Sequence, residues 1–150
     1  MELKIKPLSP KIGAEIPFPA YATAGSAGMD LRACIDEPLT IRPMERVKVP
    51  AGFAIALPGP QWAAYIFARS GLGIKSGITL PNCVGVIDSD YRGEIIVALT
   101  NLSGEEYTIQ PGDRVAQLVI MPVTQAEITV VDELDETERG AGGFGSTGRA

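Results

Sequence analysis

Glycine and proline interrupt this chain so often that a long helix has nowhere to form. Seventeen glycines and twelve prolines are spread through 150 residues. A proline inside a helix removes a backbone donor and costs about 3 kcal/mol, and a glycine there costs about 1 kcal/mol. Between the interruptions lie short apolar runs, which suit many strands joined by turns. Arg46-Val47-Lys48-Val49 and Glu127-Ile128-Thr129-Val130 alternate with period two and read as half-buried strands. Phe53 to Leu57, Trp62 to Phe67, Glu94 to Asn101 and Arg114 to Pro122 are strand-length runs. Pro50-Ala51-Gly52, Pro58-Gly59-Pro60, Ser103-Gly104 and Pro111-Gly112-Asp113 fence them with turn chemistry. About ten short strands at such spacing predict an all-β sandwich or closed barrel. One short helix is expected within Gly71 to Lys75, with Ser70 as its N-cap.

The length suits a single domain. A hydrophobic share of 45% and a charged share of 21% are those of an ordinary globular chain. The net charge of −5 arises from one stretch, Asp132, Glu133, Asp135, Glu136 and Glu138, and elsewhere acids and bases balance. No broad basic field is left to hold nucleic acid or an anionic membrane surface. The N-terminus lacks a secretory apolar core and no run approaches a membrane span of about 20 residues, so a soluble cytoplasmic protein is expected.

The chain has no histidine. That excludes Ser-His-Asp and Cys-His nucleophile systems and any His-ligated zinc or haem. Two cysteines, Cys34 and Cys83, cannot build a four-cysteine metal site and read as reduced thiols in the core. A proton-transfer enzyme built from this chain would draw its base first from the carboxylates.

Three clusters and one tail invite a functional reading. Ala24 to Leu31 sets Asp30 among small residues, where a ligand could come close, or where Asp30 merely closes a turn. Arg69-Ser70-Gly71 opens the expected helix and could face an anion, or form a surface ion pair and a cap. Gly85 to Ile95 reads as a hairpin whose acids near the tip would ordinarily be solvated. Asp88 differs in reading as the last strand residue, where alternation would turn it inward. From Arg139 to Gly148 the chain is glycine-rich without apolar periodicity, as in a flexible tail whose N–H groups could wrap an anion. Gly140, Gly142 and Gly145 match GxGxxG, but no strand precedes them, and no Walker A string occurs.

Together the strings AGSAGMDLRA (24–33), ARSGLGIKSG (68–77), GVIDSDYRGEI (85–95), GDRVAQLVI (112–120) and RGAGGFGSTG (139–148) resemble, in order and spacing, the five motifs of the trimeric deoxyuridine triphosphatases, or dUTPases. The resemblance implies a jelly-roll-like β-barrel over residues 1–138. It further implies a homotrimer with sites at subunit interfaces, and a Gly-rich tail, 139–150, closing over a neighbouring subunit's site. The implied reaction is Mg²⁺-dependent hydrolysis of dUTP to dUMP and pyrophosphate, which limits uracil incorporation into DNA and supplies dUMP for thymidylate synthesis.

By the same resemblance Asp88 is the base that deprotonates the attacking water. Asn82 and the backbone of Val86 and Ile87 bind the uracil edge, and Tyr91 packs under the deoxyribose. Ile96 lines the same pocket if cross-strand pairing sets it opposite Val86. Arg69, Ser70, Gly71 and Gln117 hold phosphates, and Asp30 reaches the substrate's Mg²⁺ through water. From the tail, Phe144 stacks on uracil, Arg139 meets the phosphates, and Gly145, Ser146 and Thr147 contact the β- and γ-phosphates. Two alternatives stand beside this reading: a dCTP deaminase of the same superfamily, and a nucleotide-sensing trimer without turnover.

Overall fold

The computed structural model describes residues 1–143. Ten strands and one helix follow in the order β1 (Lys4–Pro7), β2 (Met29–Arg32), β3 (Leu39–Ile41), β4 (Arg46–Ala56), β5 (Trp62–Ala68), α1 (Ser70–Ser76), β6 (Ile78–Thr79), β7 (Val84–Ile87), β8 (Glu94–Asn101), β9 (Tyr107–Ile109) and β10 (Arg114–Pro122). One sheet has the order β1-β4-β8-β6, a second β2-β10-β5-β7, and β3 and β9 form a small ribbon.

Alternation decides which side chains each strand buries. β8 turns Ile95, Val97 and Leu99 inward and leaves Ile96 exposed, while β2 buries Met29 and Leu31 and sends Asp30 and Arg32 to the other face. The inward residues of both sheets, among them Val97, Leu99, Leu31, Ile66 and Leu118, belong to one apolar cluster. Two antiparallel sheets around one core make the jelly-roll arrangement. They do not close into the expected barrel. Closure needs edge strands that hydrogen-bond to one another, and here β1 and β6 end one sheet while β2 and β7 end the other.

Other differences have local causes. Pro50-Ala51-Gly52 is not a turn between strands but an irregularity inside β4, where the register against β8 shifts between Pro50 and Ala54. A bulge of this kind accommodates a proline without a ladder donor. Gly52 there has φ +79°, and a Cβ on it would lie 2.9 Å from Cys34 Cβ. Glu127 to Val130 forms no strand, and Ile128 and Val130 are 88% and 91% exposed. Their alternation needs a ladder partner, and neither sheet of this chain supplies one. Ser70 is the first helical residue rather than the cap. Arg69, still extended after β5 (φ −83°, ψ 128°), takes the N-cap position without a side-chain bond. Both cysteines are free, but only Cys34 is even half-buried; Cys83 is exposed, with φ +63°, in the turn before β7. No described helix is long and apolar enough to cross a membrane.

Asn101, fully buried at the end of β8, ties the sheet to the ribbon. Its Nδ2 donates to the carbonyls of Ile41 (2.9 Å) and Glu105 (2.7 Å), and its Oδ1 accepts from the Ser103 N–H (2.9 Å) and hydroxyl (2.7 Å). Asn101→Leu keeps the volume but strands those partners away from water. It should lower unfolding stability by about 2–4 kcal/mol in denaturant melts. A loss below about 0.5 kcal/mol would show that water replaces the amide there.

Candidate active site

The segment from Gly85 to Ile95 does not form the expected hairpin ladder. β7 pairs with β5, setting Val86 opposite Tyr65, whereas β8 pairs with β4, setting Ile96 opposite Pro50. The polar stretch 88–93 is too long for a two-residue turn and lets its flanking strands join different sheets. Asp88 consequently lies just beyond β7 and is exposed, rather than being an in-strand residue turned inward.

Hydrogen bonds brace this connection. The Tyr91 N–H donates to the Asp88 carbonyl (3.2 Å), and the Arg92 guanidinium donates to the carbonyls of Ser89 (2.8 Å) and Tyr91 (2.9 Å). The Tyr91 hydroxyl donates to the Glu94 carbonyl (3.1 Å), and the Glu94 carboxylate accepts the Gly52 N–H (2.9 Å) from the β4 irregularity. The loop, with Ile66 behind it, encloses a cavity of about 250 Å³ lined by Asn82, Gly85, Val86, Ile87, Asp88, Tyr91 and Ile96. Ile96 thus shares a cavity with Val86, although the two are not cross-strand partners. β7 is an edge strand, so β5 satisfies only one side of its backbone. Alternate N–H and C=O groups on its other side remain open.

A second cluster gathers on the outer face of the same sheet, on β2 and β10. Asp30 on β2 stands opposite Gln117 on β10. Its carboxylate lies between two guanidiniums, with Oδ1 3.2 Å from Arg69 Nε and Oδ2 3.2 Å from an Arg114 nitrogen. Arg69 in turn donates to the Arg114 carbonyl (3.0 Å). Asp30 Oδ1 is buried yet accepts no hydrogen bond, so one lone pair stays open. Ser70 and Gly71 are exposed at the start of α1, and a Cβ on Gly71 would meet no atom within 4 Å. Arg69 and Arg114 also border a cavity of about 190 Å³ with Tyr107 and Asp113. Burial, reinforced by Asp113, pushes the Tyr107 phenol above its ordinary pKa.

The two cavities share no lining residue. Arg139 is exposed in a pair of consecutive turns, in which Gly140 N–H meets the Thr137 carbonyl and Gly142 N–H the Arg139 carbonyl, and it lines neither cavity. Phe144, Gly145, Ser146 and Thr147 lie outside the described residues. Sequence reasoning missed Arg114, Glu94 and the bracing by Arg92. The signal for Arg114 was its place in the string GDRVAQLVI (112–120), three residues before Gln117 in the same strand. Among the described residues no group of three or more Cys, Asp or Glu side chains is arranged to cage a metal ion.

The dUTPase family model matches residues 14–148. The chain is 54% identical over 149 residues to the deoxyuridine 5'-triphosphate nucleotidohydrolase of Idiomarina loihiensis, covering 99% of both chains. It is 55% identical over 148 residues to that of Aeromonas hydrophila, covering 99% of this chain and 97% of the relative. Among solved structures, the Staphylococcus bacteriophage 80alpha dUTPase with dUPNHPP superposes with a TM-score of 0.86 at 25% identity, covering 99% of each chain. Motifs, fold and similarity along almost the whole length agree, and the chain belongs to the dUTPase family.

Proposed function

We propose that the protein hydrolyses dUTP to dUMP and pyrophosphate, with uracil and deoxyribose in the β7 cavity and the phosphates at the Asp30 cluster. The observation that carries this reading is an edge strand with open backbone groups, bordered by Asn82 before it and an exposed acid, Asp88, after it, on one small cavity. The free backbone around Val86 and Ile87 matches the donor and acceptor edge of uracil, much as a pairing strand would. Asp88 takes the proton from water as that water attacks the α-phosphorus, and Tyr91 packs under the sugar where a 2′-hydroxyl would clash. Ile96 supplies apolar wall.

Arg69, with Ser70, Gly71 and Gln117, holds phosphate oxygens, and the open space over Gly71 suits a ligand that approaches the backbone. A hard cation that keeps its waters needs no protein cage, and the free lone pair on Asp30 fits a water-mediated contact to it. Mg²⁺ bound to the triphosphate would neutralise charge that develops on its oxygens.

The family resemblance implies a homotrimer with sites at subunit interfaces, and in it the Asp88 side comes from one subunit and the Asp30 side from another. The Asp88 cavity of a single chain includes none of Asp30, Arg69, Ser70, Gly71 and Gln117, which is consistent with that division. The tail 139–150 of a subunit then closes over a site whose Asp88 belongs to a neighbour, with Phe144 on uracil and Arg139, Gly145, Ser146 and Thr147 on phosphates. Residues 1–138 form the jelly-roll domain, and the enzyme works in the cytoplasm, with no membrane or nucleic-acid partner. Incubation with dUTP or dCTP and Mg²⁺ tests the reading. Pyrophosphate from dUTP is expected, whereas ammonia from dCTP would assign a deaminase and no product would leave a nucleotide sensor.

A further inference from the structure

We infer that Gly93 is a positioning residue for sugar selectivity: it is the seat on which the Tyr91 ring is held. The inference rests on the role proposed for Tyr91 and adds how the ring is fixed before substrate arrives. Gly93 is not among the residues with positive φ, so its backbone would accept a side chain. What it lacks is room. A Cβ at Gly93 would overlap the Tyr91 hydroxyl oxygen and lie 2.6 Å from Cζ and 3.0 Å from Cε2 of the same ring, and these three are its nearest neighbours. The closest approach that the glycine permits is that of one side chain, the Tyr91 ring.

The seat has a second and a third support. The Tyr91 hydroxyl donates to the Glu94 carbonyl at 3.1 Å, and the Glu94 carboxylate receives the Gly52 N–H at 2.9 Å. The residue that accepts from the ring is thereby anchored to β4. Tyr91 is 45% exposed, so a displaced ring can swing toward solvent without disturbing the core. A methyl group at Gly93 should therefore lift the ring, break its bond to Glu94 and move the wall that excludes a 2′-hydroxyl, while the fold persists.

The test compares kcat/KM for dUTP and UTP in wild type, Gly93→Ala, Tyr91→Ala and the double variant, each checked by thermal melting. Gly93→Ala is expected to melt close to wild type and to narrow the preference for dUTP about tenfold. Tyr91→Ala should narrow it as well. The double variant should match Tyr91→Ala alone, since no ring remains to be displaced. A wild-type preference in Gly93→Ala, with a narrowed one in Tyr91→Ala, overturns the seat and leaves the role of Tyr91 intact. If neither variant narrows the preference, the role of Tyr91 falls and the seat with it. If Gly93→Ala does not fold, removal of the ring in the double variant must restore folding; a double variant that stays unfolded also overturns the inference.

Discussion

Asp88→Asn is expected to lower turnover by about 10² to 10⁴ while dUTP affinity changes only a few-fold, the usual cost of removing a general base. The amide has the same shape but cannot take a proton from water, and this chain has no histidine to replace it. Because Asp88 is exposed and follows β7 instead of lying within it, the substitution disturbs no core contact. Asp90, two residues further along the same loop, does not line the cavity. Asp90→Asn should therefore stay near wild type and serves as the control for lost charge. Single-turnover rates, with equilibrium binding of a non-hydrolysable dUTP analogue, separate chemistry from affinity. Turnover of Asp88→Asn within a factor of three of wild type would remove Asp88 from the role of base.

Two inactive proteins are expected to restore activity to each other if the tail crosses between subunits. One is Asp88→Asn with its tail intact, and the other ends at Glu138 with Asp88 intact. After joint unfolding and refolding at equal amounts, random assortment in a cyclic trimer leaves roughly one site in four with both parts. Activity should rise from near zero toward about that fraction of wild type. If each tail folds onto its own subunit, every site lacks one part and no mixture gains activity. With mixed trimers verified by native mass spectrometry, an inactive mixed population would count against the crossed tail.

What could be read from the sequence was what neighbouring residues decide among themselves. Glu94 to Asn101 and Arg114 to Pro122 are strand-length apolar runs beside turn residues, and they are β8 and β10 with those bounds, while Arg46 to Val49 alternates and opens β4. Glu127 to Val130 carries the same alternation without a strand, because pattern specifies a face but not a partner. Pairing also decided the fate of Pro50 to Gly52 and of the supposed hairpin: the first is absorbed as an irregularity in β4, and the second spans two sheets. The candidate site was legible as motifs, and Asn82, Val86, Ile87, Asp88, Tyr91 and Ile96 do meet on one cavity. Its bracing was not legible. Arg114 reaches Asp30 across 84 residues and Glu94 reaches Gly52 across 42, contacts that only the folded sheets create.

Turnover of dUTP in water enriched in heavy oxygen tests most directly whether water attacks the α-phosphorus at this site. Hydrolysis at that atom places the label in the phosphate of dUMP and none in pyrophosphate, which is the expected result. Label in pyrophosphate instead would put the attack on the β-phosphorus. That outcome would contradict the placement of Asp88 beside the α-phosphate and the mechanism built on it.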